Sequence, residues 1–451
     1  MEQSKNTSRR QFIGSAAALG AIGVAGFSQI LHSCKSDGKL IDLGLAPFLE
    51  QAPDGEPLRA GVIGCGGRGT GAAINFLNAG NDLSIHAIAD VFQDRIDSFR
   101  KRVKEEKGVE VDDENCFTGF DAFKRLLETD VNYIILATPP YFRPEHFQAA
   151  VEARKHIFME KPVAVDPVGA RKVIAASKEA EAAGLCVITG TQRRHARDYT
   201  EVFKRVRSGF IGDIVASNAY WNQSKLWHRD LKPGWTEMEY MIRDWVNWTW
   251  LSGDHIVEQH IHNVDVINWF AGKFPVEAVG VGSRQRRVTG DCYDNFSVDF
   301  VYDSNVHLHS MCRQINDCAN SVSENLRGTE GYTNCRNTIW NTDGSLNYEF
   351  AYPIDDEGKE DKNALMSPYD QEHIDLVTAI RNGEQIVEAE ETANSNLTMI
   401  MGRMAAYTGK KVTWEEVMSS DLQIGPKAIE MGPVDMEYLV PQPGTAPLAK
   451  D

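Results

Sequence analysis

Leu58-Arg59-Ala60-Gly61-Val62-Ile63-Gly64-Cys65-Gly66-Gly67-Arg68-Gly69-Thr70-Gly71 decides how the chain is read. A short apolar run, 60–63, leads into Gly64-Cys65-Gly66-Gly67-Arg68-Gly69, and a helical run, 72–78, follows. This is G-x-G-x-x-G between a strand and a helix. Gly64 permits a tight turn, Gly66 lets a pyrophosphate approach the backbone, and Gly69 lets the helix pack against its strand with the anion at the helix N-terminus. The next strand, 83–89, ends at Asp90, 21 residues beyond Gly69. An acid at that distance holds a ribose 2′-hydroxyl. Gly-rich turns also occur as plain structure, but the strand, the helix and the acid together favour a dinucleotide.

Strands and helices alternate outward from this stretch. Strands are expected at 58–63, 83–90, 131–137, 156–160 and 185–189, with helices at 94–107, 120–128, 144–153 and 167–183. The run Val131-Asn132-Tyr133-Ile134-Ile135-Leu136-Ala137 is almost continuously apolar, as in a parallel strand buried on both faces. These strands with helical crossovers make a doubly wound sheet. After Gly190 the pattern changes to short alternating strands at 214–221, 276–282, 295–302, 306–313, 322–327, 333–340 and 346–352, which read as a largely antiparallel sheet. Helices interrupt it at 200–208, 245–251 and 256–270, and two more follow at 369–381 and 389–408. A short last element starts at 411–418. The fold class is therefore α/β, a doubly wound parallel sheet plus a C-terminal α+β domain with an open, mostly antiparallel sheet.

The chain divides into a leader 1–33, a linker 34–57, a first domain 58–190, a second domain 191–431 and an extended tail 432–451. Ser8-Arg9-Arg10-Gln11-Phe12-Ile13 before a weakly apolar Ala/Gly run reads as a twin-arginine export signal. The run is too rich in Ala, Gly and Ser to be a good spanning helix. Leu31-His32-Ser33-Cys34 resembles a lipoprotein processing site, with His32 atypical, so Cys34 either carries lipid or lies beside a simple cleavage point. The protein is thus expected in the periplasm or on the cell envelope. The 451 residues carry a net charge of −17, which speaks against a nucleic-acid partner. Of the eight cysteines, the seven other than Cys34 show no paired metal spacing. Cys312 and Cys318 could bridge, but separate thiols suit a chain that folds before export.

Three sets of residues can carry chemistry. Met159-Glu160-Lys161-Pro162 ends a strand of the parallel sheet, at the edge where open α/β sheets bind ligands. There an ammonium can share the proton of a hydroxyl under oxidation; a surface lysine is the bland alternative. In Gly253-Asp254-His255-Ile256-Val257-Glu258-Gln259-His260-Ile261-His262-Asn263-Val264-Asp265, helical spacing places His255, Glu258, His262 and Asp265 on one face, with His260 pointing away. A carboxylate beside an imidazole orients the ring. A metal site is the rival, although the H-x-x-E-H pattern is not completed because Gln259 stands in its last position; locally satisfied histidines are another. No metal is expected. Arg193, Arg194, His195, Trp221, Asn222, Gln223, Trp227, Trp235, Tyr240, Arg243, Trp245 and Trp248 form an aromatic and basic set. It suits a carbohydrate or polyol pocket, with about half of the aromatics expected in the core.

Glu160-Lys161-Pro162, the glycine turn and the histidine-bearing helix, in this order over about 58–414, resemble the glucose–fructose oxidoreductase / inositol dehydrogenase / MocA (Gfo/Idh/MocA) family. The resemblance implies a Rossmann first domain, NAD or NADP, sugar or polyol substrates, and a second domain whose open sheet packs into dimers or tetramers. It implies a catalytic lysine at Lys161, with a frequently cis bond to Pro162. Glu258 and His262 match an acid four residues before a catalytic histidine, and Asp265 an acid three after it. Arg68 and Asp90 fall where phosphate and ribose are met, and Thr138, Pro139 and His146 beside the nicotinamide. The family usually has Asp at the position of Glu258 and Gly at that of His260.

The resulting expectation is hydride transfer between a sugar carbinol carbon and a tightly held nicotinamide. His262 is the base, oriented by Glu258, and Lys161 polarises the same oxygen. Gly64, Gly66, Gly67, Arg68, Gly69, Asp90, Thr138, Pro139, His146, Glu160 and Lys161 hold the cofactor. Arg193, Trp221, Tyr240, Arg243, Trp245 and Asp265 meet the substrate. Asp90 favours NAD over NADP, and Arg68 or Arg95 softens that preference. The alternatives are redox-assisted glycoside hydrolysis or keto-glycoside formation on a retained NAD, a metal hydrolase, and a silent sugar-binding lipoprotein.

Overall fold

The computed structural model describes residues 39–444; the leader and Cys34 lie outside the described residues. Six parallel strands form the first sheet: β1 (Leu58–Ile63), β2 (Leu83–Asp90), β3 (Cys116–Thr118), β4 (Tyr133–Leu136), β5 (His156–Met159) and β6 (Val187–Thr189), in the order β3-β2-β1-β4-β5-β6. The order reverses at β1, which creates the crevice beyond the strand ends where ligands bind. Strand β4 is apolar throughout and wholly buried: Tyr133, Ile134, Ile135 and Leu136 have no exposed surface. The sixth strand, β3, has three residues, too few to show a period in sequence. Crossovers are made by α1 (Gly67–Asn78), α2 (Gln93–Lys107), α3 (Ala122–Leu127), α4 (Arg143–Glu152) and α5 (Pro167–Ala182).

Beyond α6 (Arg197–Arg207) a nine-stranded sheet is built around β7 (Ile214–Gln223). After β7 come α7 (Glu237–Arg243), α8 (Thr249–Ser252), α9 (His255–Glu258) and α10 (Ile261–Ala271). The remaining strands are β8 (Glu277–Ser283), β9 (Asn295–Val301), β10 (His307–Gln314), β11 (Ser321–Gly328), β12 (Gly331–Thr333), β13 (Thr338–Asn341), β14 (Leu346–Glu349) and, later, β15 (Val412–Thr413). Only the β7–β10 pair is parallel. The run 333–340, expected as one strand, is broken by a turn at 334–337 that joins the end of β12 to the start of β13. One face of the sheet packs on α10 and α12 (Ala389–Thr408) through Phe296, Val298, Phe300, Leu308 and Leu326. The other leaves Val279, Val281, His307 and His309 exposed.

Two domain assignments need correction. The linker does not hang free over its described part: Ala52 is buried and its N–H donates to Ala79, and the Ile41 N–H donates to Ser208. Its scattered apolar residues, Leu43, Leu49 and Ala52, find core partners that composition does not reveal. Helix α11 (Pro368–Asn382), assigned to the second domain, packs on the first sheet. Ile374, Leu376 and Val377 join that core, and Tyr133 hydrogen-bonds His373 at 2.8 Å. The seven described cysteines are free thiols, Cys312 buried and Cys318 exposed.

Candidate active site

The glycine turn is shaped by close packing on one side and open space on the other. Gly64 has φ +99°, and a Cβ there would lie 2.7 Å from the Ala137 carbonyl carbon. A Cβ on Gly69 would lie 1.8 Å from the Gly64 carbonyl oxygen, so the helix can approach its strand only with glycine there. Cβ atoms on Gly66 or Gly67 would project into open space. Helix α1 starts with no side-chain cap and no acid in its first turn, which leaves its N–H groups directed at a would-be anion. The Asp90 carboxylate accepts from the Cys65 N–H at 2.8 Å and the Phe92 N–H at 3.0 Å. Burial raises its pKa from the usual value, against these bonds and nearby Arg95. Each oxygen keeps a lone pair for a hydroxyl.

A cavity of about 480 Å³ extends from this turn. Gly64, Gly66, Gly67, Arg68, Asp90, Thr138, Pro139 and His146 line it. An open cradle, uncapped N–H groups and a carboxylate at the ribose position fit a dinucleotide. His146 lies against Phe123, with ring centroids 4.3 Å apart, and is 3.2 Å from the Thr138 hydroxyl. Its pKa falls to about 3, through burial and then Arg143 and Lys172, so the ring is neutral.

Next to the cavity, Arg68 bonds Glu160, and Glu160 precedes Lys161. Lys161 and Glu258 are both more than nine-tenths buried. The Lys161 ammonium donates to the Glu258 carbonyl at 2.5 Å and to its carboxylate at 3.1 Å. Burial would raise the Glu258 pKa, but Lys161, Gln259 and Arg143 hold it below the usual value. His262 stacks on Trp221 at 5.6 Å, and burial, with Lys161, Arg193 and Arg68, lowers its pKa well below the ordinary imidazole value. Arg193 bonds Glu324 and lies 5.8 Å from the Trp221 ring centre. Lys161, Glu258, His262, Trp221 and Arg193 therefore form one cluster. The Lys161–Pro162 bond is cis.

Other expectations fail for local reasons. The histidine stretch is not one helix but α9 and α10, with a break at Gln259 and His260. His260 is buried and pairs with the Ser310 hydroxyl at 2.7 Å. Glu258 orients Lys161 rather than His262. His255 faces Asp254 at 3.0 Å and packs on Phe296. Among the described residues no three His, Cys, Asp or Glu side chains converge as a metal set. Asp265 is not a substrate contact: it takes both Arg194 nitrogens, at 2.9 and 2.8 Å, and the Ser395 hydroxyl at 2.7 Å. Arg243 and Trp245 line the dinucleotide cavity instead of the His262 cluster. Tyr240 packs edge-on against Trp248. Gly69, Glu160 and Lys161, also expected to hold the cofactor, are not among the residues that line the cavity.

Two participants escape the sequence reading. Glu324 of β11 is buried and joins Arg193, Tyr199 and Asn263. A charged residue at an inward-facing position of Ser321-Val322-Ser323-Glu324-Asn325-Leu326-Arg327 is the signal that could have found it. Arg143 is buried and donates to the Pro162 carbonyl at 2.5 Å, fixing the turn after Lys161.

A two-domain, dinucleotide-binding class of protein is defined by this turn, this sheet order and this second sheet. The family description "Oxidoreductase family, NAD-binding Rossmann fold" matches residues 58–191, and "GFO/IDH/MocA C-terminal domain" matches 199–334. The chain belongs to the Gfo/Idh/MocA family, and its first domain is an NAD-binding Rossmann domain. It is 27% identical over 226 residues to a myo-inositol 2-dehydrogenase of Thermotoga maritima, covering 50% of this chain and 58% of that one. It is 30% identical over 223 residues to an inositol 2-dehydrogenase of Rubrobacter xylanophilus, covering 48% and 53%. The matches thus span just over half the length of these relatives. The fold is similar to that of scyllo-inositol dehydrogenase from Lactobacillus casei with bound NAD(H) and scyllo-inositol, with a TM-score of 0.58 and 18% identity over 79% of this chain and 99% of that one.

Proposed function

We propose that the protein is an NAD-dependent oxidoreductase acting at a hydroxyl-bearing carbon of a sugar, glycoside or polyol. The observation that carries this reading is the Lys161–Glu258 contact, which joins the ligand edge of the first sheet to the histidine segment of the second domain. Bound NAD supplies the hydride acceptor. Lys161, aimed by the carbonyl and carboxylate of Glu258, donates a hydrogen bond to the substrate oxygen. His262 takes the hydroxyl proton; its lowered pKa keeps the ring neutral and able to accept. Trp221 offers a flat face to sugar C–H groups, and Arg193 binds hydroxyls while Glu324 holds it. In the reverse direction His262 returns the proton.

The test is NADH absorbance over a panel of inositols, sugars and glycosides. Lys161→Ala and His262→Ala each lower kcat by about 10²–10⁴. Wild-type turnover in both would end the assignment. NAD is preferred over NADP because Asp90 repels a 2′-phosphate. The Arg9-Arg10 leader supports export of a folded chain, with Cys34 a candidate for lipid. Arg9→Lys with Arg10→Lys should leave the precursor in the cytoplasm on fractionation. The exposed Val279 and Val281 face supports a homo-oligomer, measurable by light scattering.

A further inference from the structure

The cavity beyond Asp90 has a wall that no motif announces. Trp227, Ile242, Arg243 and Trp245 come from the second half of the chain and line the same space as Asp90 and Arg95. Arg243 ties this wall to the lip of the first sheet. Its guanidinium lies 3.9 Å from the Phe92 ring centre and pairs with both Asp94 oxygens, at 2.8 and 3.1 Å. Its Nε donates to Glu239 at 2.8 Å. Trp227 meets Trp245 edge-on at 6.2 Å, yet it is 44% exposed. Its open face can take a planar ligand by stacking.

Behind α7 runs the end of the chain. The Met238 N–H donates to the Gly432 carbonyl at 3.1 Å. Glu237 accepts from the Val434 N–H at 2.8 Å and the Tyr438 hydroxyl at 2.5 Å. Ile424, Ile429, Val434 and Met436 pack into the apolar cluster that holds Phe92 and Ile242.

We infer that this wall, braced from behind by residues 424–438, is the adenosine-side subsite of the dinucleotide and sets its rate of release. The inference rests on the NAD reading above and adds the residues that enclose the cofactor. The glycine turn faces open space and cannot enclose a ligand alone. The far wall supplies two indole rings against which a purine can stack, and a guanidinium clasp that closes the two halves of the chain around it. Release then requires the stack to break and the Arg243–Asp94 clasp to part.

The experiment follows NADH leaving the full-length protein, by its fluorescence after mixing with excess NAD. Trp227→Ala should release NADH about tenfold faster, the loss expected for one base–aromatic stack. Asp94→Asn, which breaks the clasp without touching the cavity lining, should speed release severalfold, and more weakly at high salt than at low. Trp227 is a surface residue, so its variant should melt as wild type does. Release at the wild-type rate from both variants would overturn the inference while leaving the NAD reading intact. A wild-type chain that binds no NADH would overturn both.

Discussion

The two ends of the proposed reaction path are built on different principles. The dinucleotide end is made by backbone: a turn in which Gly64 and Gly69 admit no side chain, a helix terminus, and Asp90 held by two N–H groups. The Lys161–His262 end is made by side chains from distant elements: α9, α10, β7, β11 and the turn after β5. Backbone sites are written in a contiguous motif. Side-chain sites are assembled by the tertiary fold, and each member depends on partners that nothing nearby in sequence predicts.

The largest expected effect breaks the two ends separately. Lys161→Ala should lose about 10²–10⁴ in kcat while keeping NADH affinity, whereas Gly69→Ala should lose NADH affinity itself. Fluorescence titration beside steady-state kinetics reads both. Next comes a change that tests whether Asp265 is a structural anchor. Arg194→Met leaves the Asp265 carboxylate buried and unpaired, which should cost about 3–5 kcal/mol in urea unfolding. A variant of wild-type stability would return Asp265 to the list of site residues.

A smaller effect comes from pH. Burial lowers the pKa values of His262 and His373 well below the ordinary value and those of His146 and His260 to about 3. Below about pH 6.5 the unfolded chain binds protons at these positions and the folded chain does not, so stability falls as pH falls. Each ring adds a slope of about 1.4 kcal/mol per pH unit. His195 has the opposite sign. Burial disfavours its charge, but Glu388 and Asp375 raise its pKa well above the usual value. It is protonated in both states below about 6.5, and its stabilising share is lost only as pH rises through the folded value. Urea unfolding between pH 7 and 5 should show the fall, reduced in His373→Asn. The acid limb of kcat/KM should likewise lie below the ordinary imidazole value, and a limb at about 6.5 would contradict His262 as the base. The smallest effect sharpens the backbone end: Asp90→Ser should narrow the preference for NAD over NADP by about tenfold in paired titrations.

The parallel sheet, the glycine turn and Asp90 were legible because each rests on local pattern. Lys161, Glu258 and His262 were legible through their motifs, but their mutual roles were not. Periodicity carried the helix through Gln259 and His260, whereas the fold breaks it there. Asp254, with φ +70°, starts α9, and its carboxylate bonds the N–H groups of His255 and Tyr293 and the Tyr407 hydroxyl. That break turns Glu258 toward Lys161. The aromatic set was read as one pocket because composition does not separate neighbours in sequence from neighbours in space. Trp221 went to His262, and Trp227 and Trp245 to the far end of the cavity. Arg243 in particular looked like a hydroxyl binder and is a clasp.

The return of α11 to the first sheet has a consequence for synthesis. Residues 374–377 complete a core begun at residue 58, so a ribosome must emit most of the chain before that sheet has both faces covered. A fragment truncated after the second family match, at residue 334, would leave Phe76, Tyr133 and Phe158 without the helix that covers them. The nucleotide-binding half is thus contiguous in its strands but not in its packing, and severing the polypeptide between the two sheets should yield two insoluble pieces rather than two working modules.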